Sequence, residues 1–152
     1  MKLPIITYPN DSLRKKSIKV DNIKTVQKLC SDMIETMQKE KGLGLSAVQV
    51  GEHKRVVAIH KDADKILNNH LIIINPKIFS FSKETEKSEE GCLSIPDVFG
   101  NVERCKKIKV RYTDCSGQER KIKATGMFAR VIQHEIDHLD GILFIDKTIQ
   151  NE

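Results

Sequence analysis

The apolar residues between Asn22 and Lys41 recur at the spacing of a helix with one buried side. They are Val26, Leu29, Cys30, Met33, Ile34 and Met37, and they follow the i, i+3, i+4, i+7 pattern. Asp21 or Asn22 is placed to cap the start of this helix, and Gly42 is placed to end it. We therefore predict a long amphipathic helix in the first third of the chain.

Short apolar runs after this helix predict β-strands. Residues 55–59 and 71–74 are rich in β-branched side chains, which favour strands. Asn75 and Pro76 predict the end of the second strand, because proline has no N–H to donate to a sheet. The polar and charged segment 83–90 predicts an exposed connection.

The last third of the sequence predicts a hairpin followed by a second helix. Residues 108–112 and 120–123 flank a turn that contains glycine, which is typical of a β-hairpin. Thr125 is placed to cap a helix from 126 to 139, and Gly141 is placed to end it. The buried side of this helix is marked by Phe128, Val131, Ile132 and Leu139.

These elements predict an α+β fold: a single compact domain over residues 1–152, with antiparallel sheets packed around a central C-terminal helix. The hydrophobic content of 39% and charged content of 31% are those of ordinary globular proteins. No signal-peptide core is visible, and no apolar run approaches the about 20 residues that a membrane helix needs. We therefore expect a soluble cytoplasmic protein with no membrane partner.

The net charge of +5 changes this picture only slightly. Basic residues recur along the predicted hairpin, at Lys106, Lys107, Lys109, Arg111, Arg120, Lys121 and Lys123. A solvated strand face and a surface for an anionic partner such as RNA both fit this pattern. Cys30, Cys92, Cys105 and Cys115 are expected to be reduced, because no export signal accompanies them.

The strongest chemical signal is an H-E-x-x-H sequence at residues 134–138, on the second predicted helix. His134 and His138 lie one turn apart and can present two imidazoles to one metal ion. Glu135 is rotated by about 100° from His134 and can accept a proton from a water beside the metal. Chance would give this pattern in roughly one chain in a hundred of this composition, so two helix histidines without a metal are the weaker interpretation.

A catalytic site of this kind needs a third protein ligand. The zinc-peptidase pattern that extends H-E-x-x-H would place it at Phe144, which cannot bind a metal. Cys92 is the upstream candidate, because a thiolate binds zinc or iron well and Gly91 permits unusual backbone geometry beside it. Taken alone, Cys92 fits a buried structural thiol more often than a ligand.

Three segments, in this order, make the chain resemble the peptide deformylase family. They are G-L-G-L-S-A-V-Q at 42–49, E-G-C-L-S at 90–94 and H-E-I-D-H-L-D-G at 134–141. The first departs from the family's pattern at Ser46, where the family has alanine, and the other two fit throughout. The resemblance covers nearly the whole chain.

The resemblance implies metal-dependent hydrolysis of the N-terminal formyl group of formyl-methionyl nascent polypeptides, with release of formate. It implies that the metal ligands are Cys92, His134 and His138, that Glu135 is the general acid and base, and that the Gln49 amide and the Leu93 N–H hold the oxyanion. Leu43, Gly44 and Val131 are assigned to the substrate pocket. We expect one divalent metal ion, Fe²⁺ first, with Zn²⁺, Ni²⁺ or Co²⁺ as alternatives.

Two departures limit what the resemblance implies about partners. Residues 97–99 stand where many bacterial members carry an arginine that holds the peptide, and Arg104 is not assumed to replace it. The sequence stops soon after Phe144, where familiar bacterial forms continue into a ribosome-docking helix. We expect formyl-methionyl peptides and nascent chains as partners, without counting on ribosome association, in a bacterial or virus-infected cytosol or in an organelle.

Two other functions use parts of the same pattern. A metallopeptidase would need a ligand downstream of His138, and Phe144 argues against one. A metal-stabilised module that binds nascent chains or RNA would use the basic hairpin, but it would give Glu135 and Gln49 no role.

Overall fold

Two antiparallel sheets and two α-helices make up the computed structural model, which describes residues 1–149. The helices are α1 (Gln27–Lys39) and α2 (Gly126–Leu139), and the strands are β1 (Gly44–Ser46), β2 (Val56–Ile59), β3 (Leu71–Phe81), β4 (Thr85–Cys92), β5 (Ile95–Cys105), β6 (Lys107–Thr113) and β7 (Glu119–Thr125). One sheet has the strand order β1-β2-β3-β6-β7, and β4 and β5 form a two-stranded ribbon. The predicted α+β class is confirmed.

The first strands of the large sheet lie between the two helices. Val57 and Ile59 of β2 pack in one core cluster with α2, whereas Val56 and Ala58 pack in a second cluster with α1. Successive side chains of a strand point to opposite faces, so β2 is buried on both. Every residue of α2 from 128 to 136 is buried. The helix that carries the H-E-x-x-H sequence therefore lies in the core.

The first helix is shorter than predicted at both ends. A 3₁₀ turn, Ile23–Val26, precedes α1, and the Asn22 side chain caps that turn by accepting from the Lys24 N–H at 3.0 Å. The α-helix ends at Lys39. None of the helices in the described residues is long and apolar enough to span a membrane.

Two predictions about the strands were wrong. Segment 83–90 is not a simple connection, because Thr85–Cys92 form β4 and pair with β5. Glu90 is the one fully buried residue of this strand, so the ribbon lacks the apolar alternation that marks a strand in sequence. Proline does not end β3 at position 76 either, because a register shift between Ile74 and Lys77 keeps it out of the ladder.

The elements predicted for the last third of the chain are confirmed. The β6–β7 hairpin forms, and α2 has the predicted bounds. Thr125 occupies the N-cap position, but its side chain makes no capping hydrogen bond, contrary to expectation. Gly141 follows α2 with φ +76°, and a Cβ there would overlap the Arg14 carbonyl oxygen. Glycine is thus required both to end the helix and to admit the Arg14 segment.

Candidate metal centre

The three predicted metal ligands converge at one point. Helix α2 presents His134 and His138, whose ring centroids lie 5.0 Å apart. Cys92 stands at the end of β4, just before the two-residue turn to β5, and its Sγ lies 3.2 Å from His138 Nε2. One donor atom from each residue lies within 4.8 Å of the other two. The fold thus brings together side chains more than 40 residues apart in sequence.

This donor set fits one divalent metal ion. A sulfur and a nitrogen bound tetrahedrally to one ion at ordinary bond lengths lie about 3.6 Å apart, which is close to the separation found here. His138 Nδ1 is buried without a hydrogen-bond partner in the described residues, so a metal at Nε2 would be the contact that fixes this ring. Both imidazoles are buried whereas Cys92 is half-buried, so the site is more open on the cysteine side. One thiolate and two imidazoles suit zinc or iron.

Glu90 anchors the site from the ribbon. Its carboxylate accepts from His134 Nδ1 at 2.8 Å, from Arg104 at 2.9 and 3.0 Å, and from Arg130 at 2.6 Å. Burial alone would raise the pKa of Glu90, but the hydrogen bonds from His134 and Arg104 hold that pKa well below its usual value. The contact at Nδ1 would leave His134 Nε2 free to bind a metal.

The sequence did not reveal this anchoring network. Arg104 also bonds Asp137, so one arginine joins β5 to α2 and to Glu90. A signal was present at Arg130, a charged residue on the apolar stretch of a helix, since a buried charge needs a partner. The identity of that partner depends on how the ribbon packs, which the local pattern does not specify.

The two imidazoles differ in charge while no metal is bound. Burial opposes protonation of His134, but the neighbouring Cys92 thiol and the hydrogen bond to Glu90 outweigh it and raise the pKa of His134 to about 10. Burial and the neighbouring His134 lower the pKa of His138 well below its usual value. Metal binding must therefore displace a proton from this pair at neutral pH.

Glu135 lies beside the predicted metal ligands. The residue is buried, with 5% of its surface exposed. Burial raises the pKa of Glu135, and the charge on His134 and a hydrogen bond from Ser46 oppose that rise. The Ser46 hydroxyl lies 2.7 Å from Glu135 Oε1 and 2.8 Å from its carbonyl oxygen. The residue that departs from the family pattern thus contacts the predicted base directly.

The two predicted oxyanion donors border the thiol. Gln49 Oε1 accepts from the Ser46 N–H at 2.9 Å, while Nε2 lies 3.1 Å from Ser94 Oγ and 3.5 Å from Cys92 Sγ. Its amide is therefore held in place and faces the site. Within residues 1–149, the Leu93 N–H donates to no protein acceptor, so it is available to a ligand.

The three predicted pocket residues lie on the β1 side of the site. A Cβ added to Gly44 would lie 2.7 Å from Glu135 Oε2 and 2.8 Å from Val131 Cγ1, so glycine lets β1 approach α2 closely. Val131 is buried, whereas Leu43, the residue before β1, is 39% exposed. Their contact with substrate stays a prediction.

The segment that departs from bacterial members lies on β5 near the thiol. Residues 97–99 are exposed, and the Phe99 ring covers Gly91, where a Cβ would lie 2.7 Å from Phe99 Cε1. Arg104 is buried and fully engaged by Glu90 and Asp137. Its guanidinium is therefore committed to the anchoring network.

Known proteins match this chain over nearly its full length. The family model for polypeptide deformylase matches residues 2–152. A peptide deformylase from Bartonella tribocorum is 45% identical over 145 residues, which cover 93% of this chain and 82% of that protein. The crystal structure of peptide deformylase from Thermotoga maritima is 38% identical, with a TM-score of 0.92 and 99% of both chains covered. A Met-Ala-Ser-bound class I type b peptide deformylase from Acinetobacter baumannii is 35% identical, with a TM-score of 0.90 and coverage of 97% of this chain and 98% of that one. The chain belongs to the polypeptide deformylase family.

Proposed function

We propose that Cys92, His134 and His138 hold one divalent metal ion in this peptide deformylase, and that Glu135 moves the proton during hydrolysis of the formyl group. The observation that carries this proposal is the convergence of three donor atoms within 4.8 Å of one another beside a buried carboxylate. A structural metal site would have no use for that carboxylate, because Glu135 is not a ligand.

The Cys92 thiolate and the two imidazoles would determine which metal ion binds. When bound, it would polarise the formyl carbonyl and lower the pKa of the attacking water. We expect Fe²⁺, and Zn²⁺, Ni²⁺ and Co²⁺ fit the same thiolate and imidazoles.

Glu135 would carry one proton through the reaction. Its carboxylate accepts a proton from the water that attacks the formyl carbon, and it later passes that proton to the methionine nitrogen as the C–N bond breaks. The products are formate and a free amino terminus. Burial supports this role, because a pKa raised above that of an ordinary glutamate brings both steps closer to neutral pH.

Negative charge on the formyl oxygen would be met by two donors of this chain. The Gln49 amide is already oriented by Ser46 and Ser94, and the Leu93 N–H is free of protein acceptors in the described part of the chain. Loss of one preorganised donor of this kind typically costs about 10²–10³ in rate. Leu43, Gly44 and Val131 would receive the methionine side chain.

The substrate would be the start of a nascent polypeptide. The Acinetobacter baumannii relative was crystallised with Met-Ala-Ser, which begins with methionine. We infer that this chain accepts the corresponding formyl-methionyl peptides where they are made, in a bacterial or virus-infected cytosol or in an organelle. Ribosome association is not part of this proposal, as the sequence already gave no reason to count on it.

Formate release from formyl-Met-Ala-Ser tests the proposal. The protein is purified without oxygen and loaded with Fe²⁺ or Ni²⁺, and metal content is measured alongside activity. Glu135→Ala should keep the metal and lose at least about a thousandfold in kcat, since the proton has no other carrier nearby. Glu89→Ala, an exposed glutamate of β4, is the matched control and should keep full activity. The proposed roles would be contradicted if the metal-loaded wild type released no formate. They would also be contradicted if Glu135→Ala released formate at more than a tenth of the wild-type rate.

A further inference from the structure

One face of the large sheet is covered along only part of its length. The Ile74 side chain of β3 packs in the cluster formed with α1, and Ile74 pairs with Thr113 of β6. Past that pair the same face continues over β3, β6 and β7, and no helix of residues 1–149 packs on it. Val110 and its alternate neighbours face α2 on the other side. We call this uncovered surface the basic face. Its positively charged residues, all exposed, are Lys77, Lys107, Lys109, Arg111, Lys121 and Lys123.

The six positive charges of the basic face have no acidic partner in the part of the chain that the structure describes. Among residues 1–149, none of them forms an ion pair, although other surface cations do, such as Arg14 with Asp146 and Lys28 with Asp32. The acid on this face of β6 and β7, Glu119, lies at the far end, opposite Thr113. Neighbouring strands are about 4.8 Å apart and alternate residues about 6.7 Å apart, so the charges form a dense array. Such an array attracts a polyanion.

An aromatic ring stands in the middle of this array. The β3 ladder is irregular between Ile78 and Ser80, and Phe79 projects onto the basic face with 41% of its surface exposed. The Arg111 guanidinium carbon lies 5.3 Å from the ring centroid, and Lys121 Nζ lies 5.9 Å from it. The two cations hold the ring in place. An exposed ring among cations is a platform on which a nucleic-acid base can stack.

Hydroxyl groups extend the array along the edge of the face. An open groove of about 460 Å³ is lined by Ser80, Ser82, Lys107, Lys109, Lys123 and Thr125 together with Ile108 and Ala124. Lysine ammonium groups and hydroxyls such as those of Ser80 and Thr125 are usual donors to phosphate oxygens. The Ser82 hydroxyl already donates to the Glu84 carbonyl oxygen at 2.7 Å. None of the residues that line the groove belongs to the metal centre, so a ligand here would leave that site open.

We propose that the basic face binds RNA, with its lysines and arginine on the phosphates and Phe79 stacked on an unpaired base. A flat sheet that presents an aromatic ring and cations is an established way to hold single-stranded RNA. A membrane surface fits less well, because Phe79 is the one large apolar side chain that this face offers for insertion. The choice of RNA over DNA rests on the proposed function, since a nascent peptide emerges among RNA.

Anisotropy of a labelled RNA hairpin with a single-stranded tail tests this proposal, with the metal-loaded protein in 50 mM salt. Charge reversal in Lys109→Glu, Arg111→Glu, Lys123→Glu should weaken binding at least about a hundredfold, because attraction becomes repulsion at three phosphates. The logarithmic salt slope, about −4 for six contacts to a single strand, should fall by about 2. Phe79→Leu keeps an apolar side chain but cannot stack, and should weaken binding about fivefold or more.

A matched triple variant distinguishes the effect of the basic face from the effect of the protein's net charge. Lys16→Glu, Lys19→Glu, Lys65→Glu alters the total charge equally at exposed sites off the basic face, and should change affinity by less than about threefold. Equal losses in the two triple variants would overturn the proposal. Binding of phosphatidylserine vesicles, or of DNA of the same sequence, at least as tight as RNA binding would overturn it as well. Formate release should be unchanged in both triple variants, so failure of RNA binding and failure of the deformylase reaction are distinguished.

Discussion

Ser46 contacts the predicted base at the position where the chain departs from the family's motif. Its one hydroxyl hydrogen has two acceptors on Glu135, Oε1 at 2.7 Å and the carbonyl oxygen at 2.8 Å. A bond to the carboxylate would hold Glu135 in the orientation that faces the ligands. Hydrogen bonds to charged groups contribute about 1.5–3 kcal/mol, enough to affect a rate measurably.

We predict that Ser46→Ala lowers kcat about tenfold and leaves KM unchanged, because the hydroxyl orients Glu135 and is buried away from substrate. Steady-state formate release measures both constants. Ser17→Ala is the matched control, since Ser17 is also a buried serine but its hydroxyl has no partner in the described residues. An unchanged kcat in Ser46→Ala would mean that the hydroxyl bonds the carbonyl oxygen alone.

Gly44 sets the distance between β1 and the base. A Cβ there would overlap Glu135 Oε2 and Val131 Cγ1, and α2 is too deeply buried to retreat. We predict that Gly44→Ala lowers kcat/KM by about 10²-fold or more, since a displacement of about 1 Å at a catalytic group can cost that much. Gly42→Ala should lose less, because the one close contact of its Cβ would be with the flexible end of Leu93 at 2.9 Å, while the Gly44 carbonyl oxygen would lie at 3.4 Å, an ordinary contact distance. Formate release, metal content and thermal unfolding of both variants decide the matter, and full activity of a folded Gly44→Ala protein would refute the packing argument.

The residues that could be predicted are those whose relation is local. His134 and His138 share a helix face, so their spacing alone predicts a common metal. The contact between Ser46 and Glu135 spans 89 positions and depends on the pairing of β1 against α2. Cys92 is intermediate, because its residue type suggested a ligand but only the family resemblance selected it.

At the scale of elements, Glu90 connects the β4–β5 ribbon to α2. Its carboxylate forms ion pairs with both Arg104 and Arg130. The residue is buried, with 7% of its surface exposed. Removing the negative charge would leave the buried Arg130 guanidinium without an acidic partner in the described residues and would leave Arg104 with Asp137 alone. Its folded-state pKa is lowered, so this stabilisation is present at neutral pH and is lost as the pH falls through that pKa.

We predict that Glu90→Gln lowers the free energy of unfolding by about 3–5 kcal/mol at pH 7, the usual cost of breaking a buried ion pair. The weaker acceptor at His134 Nδ1 should also lower metal affinity by about 10- to 100-fold. Urea denaturation and competition with a metal chelator measure the two effects. Glu89→Gln removes an exposed carboxylate next to it in β4 and should change neither. Wild-type stability in Glu90→Gln would show that the network does not bind the ribbon to the helix.

The elements that the sequence predicted are those with an apolar period. Helix α2 and the β6–β7 hairpin bury apolar side chains at regular intervals along the sequence. The bounds of the helix and the pairing of the hairpin could be predicted from those intervals. Strand β4 escaped prediction because it is held by one neighbouring strand and a buried carboxylate instead of an apolar face. Strand β3 passes Pro76 by an irregularity in the ladder, which a rule about regular strands cannot anticipate.

At the scale of the whole molecule, the alternation in β6 and β7 predicted one exposed face but not its extent. That face is continuous with the one that α1 covers, and the uncovered part begins where α1 no longer reaches. The metal centre lies on the other side of the sheet, with α2. Catalysis and the proposed RNA contact therefore use separate surfaces, and a change in one need not disturb the other.

The metal centre itself is supported by the protein around it. Glu90 orients His134, the end of β4 places Cys92, and clusters of buried apolar side chains pack against both faces of the sheet. We predict that removal of the metal by a chelator abolishes formate release but leaves the far-UV circular dichroism spectrum unchanged, with a lower unfolding temperature because the bound metal stabilises the folded state by mass action. Adding Ni²⁺ back should restore activity. Chelated Glu135→Ala is the control, since it should show the same fall in unfolding temperature without any activity to lose. Collapse of the spectrum on chelation would instead make the metal a condition of folding, as in small structural zinc domains, and would contradict the preformed site described here.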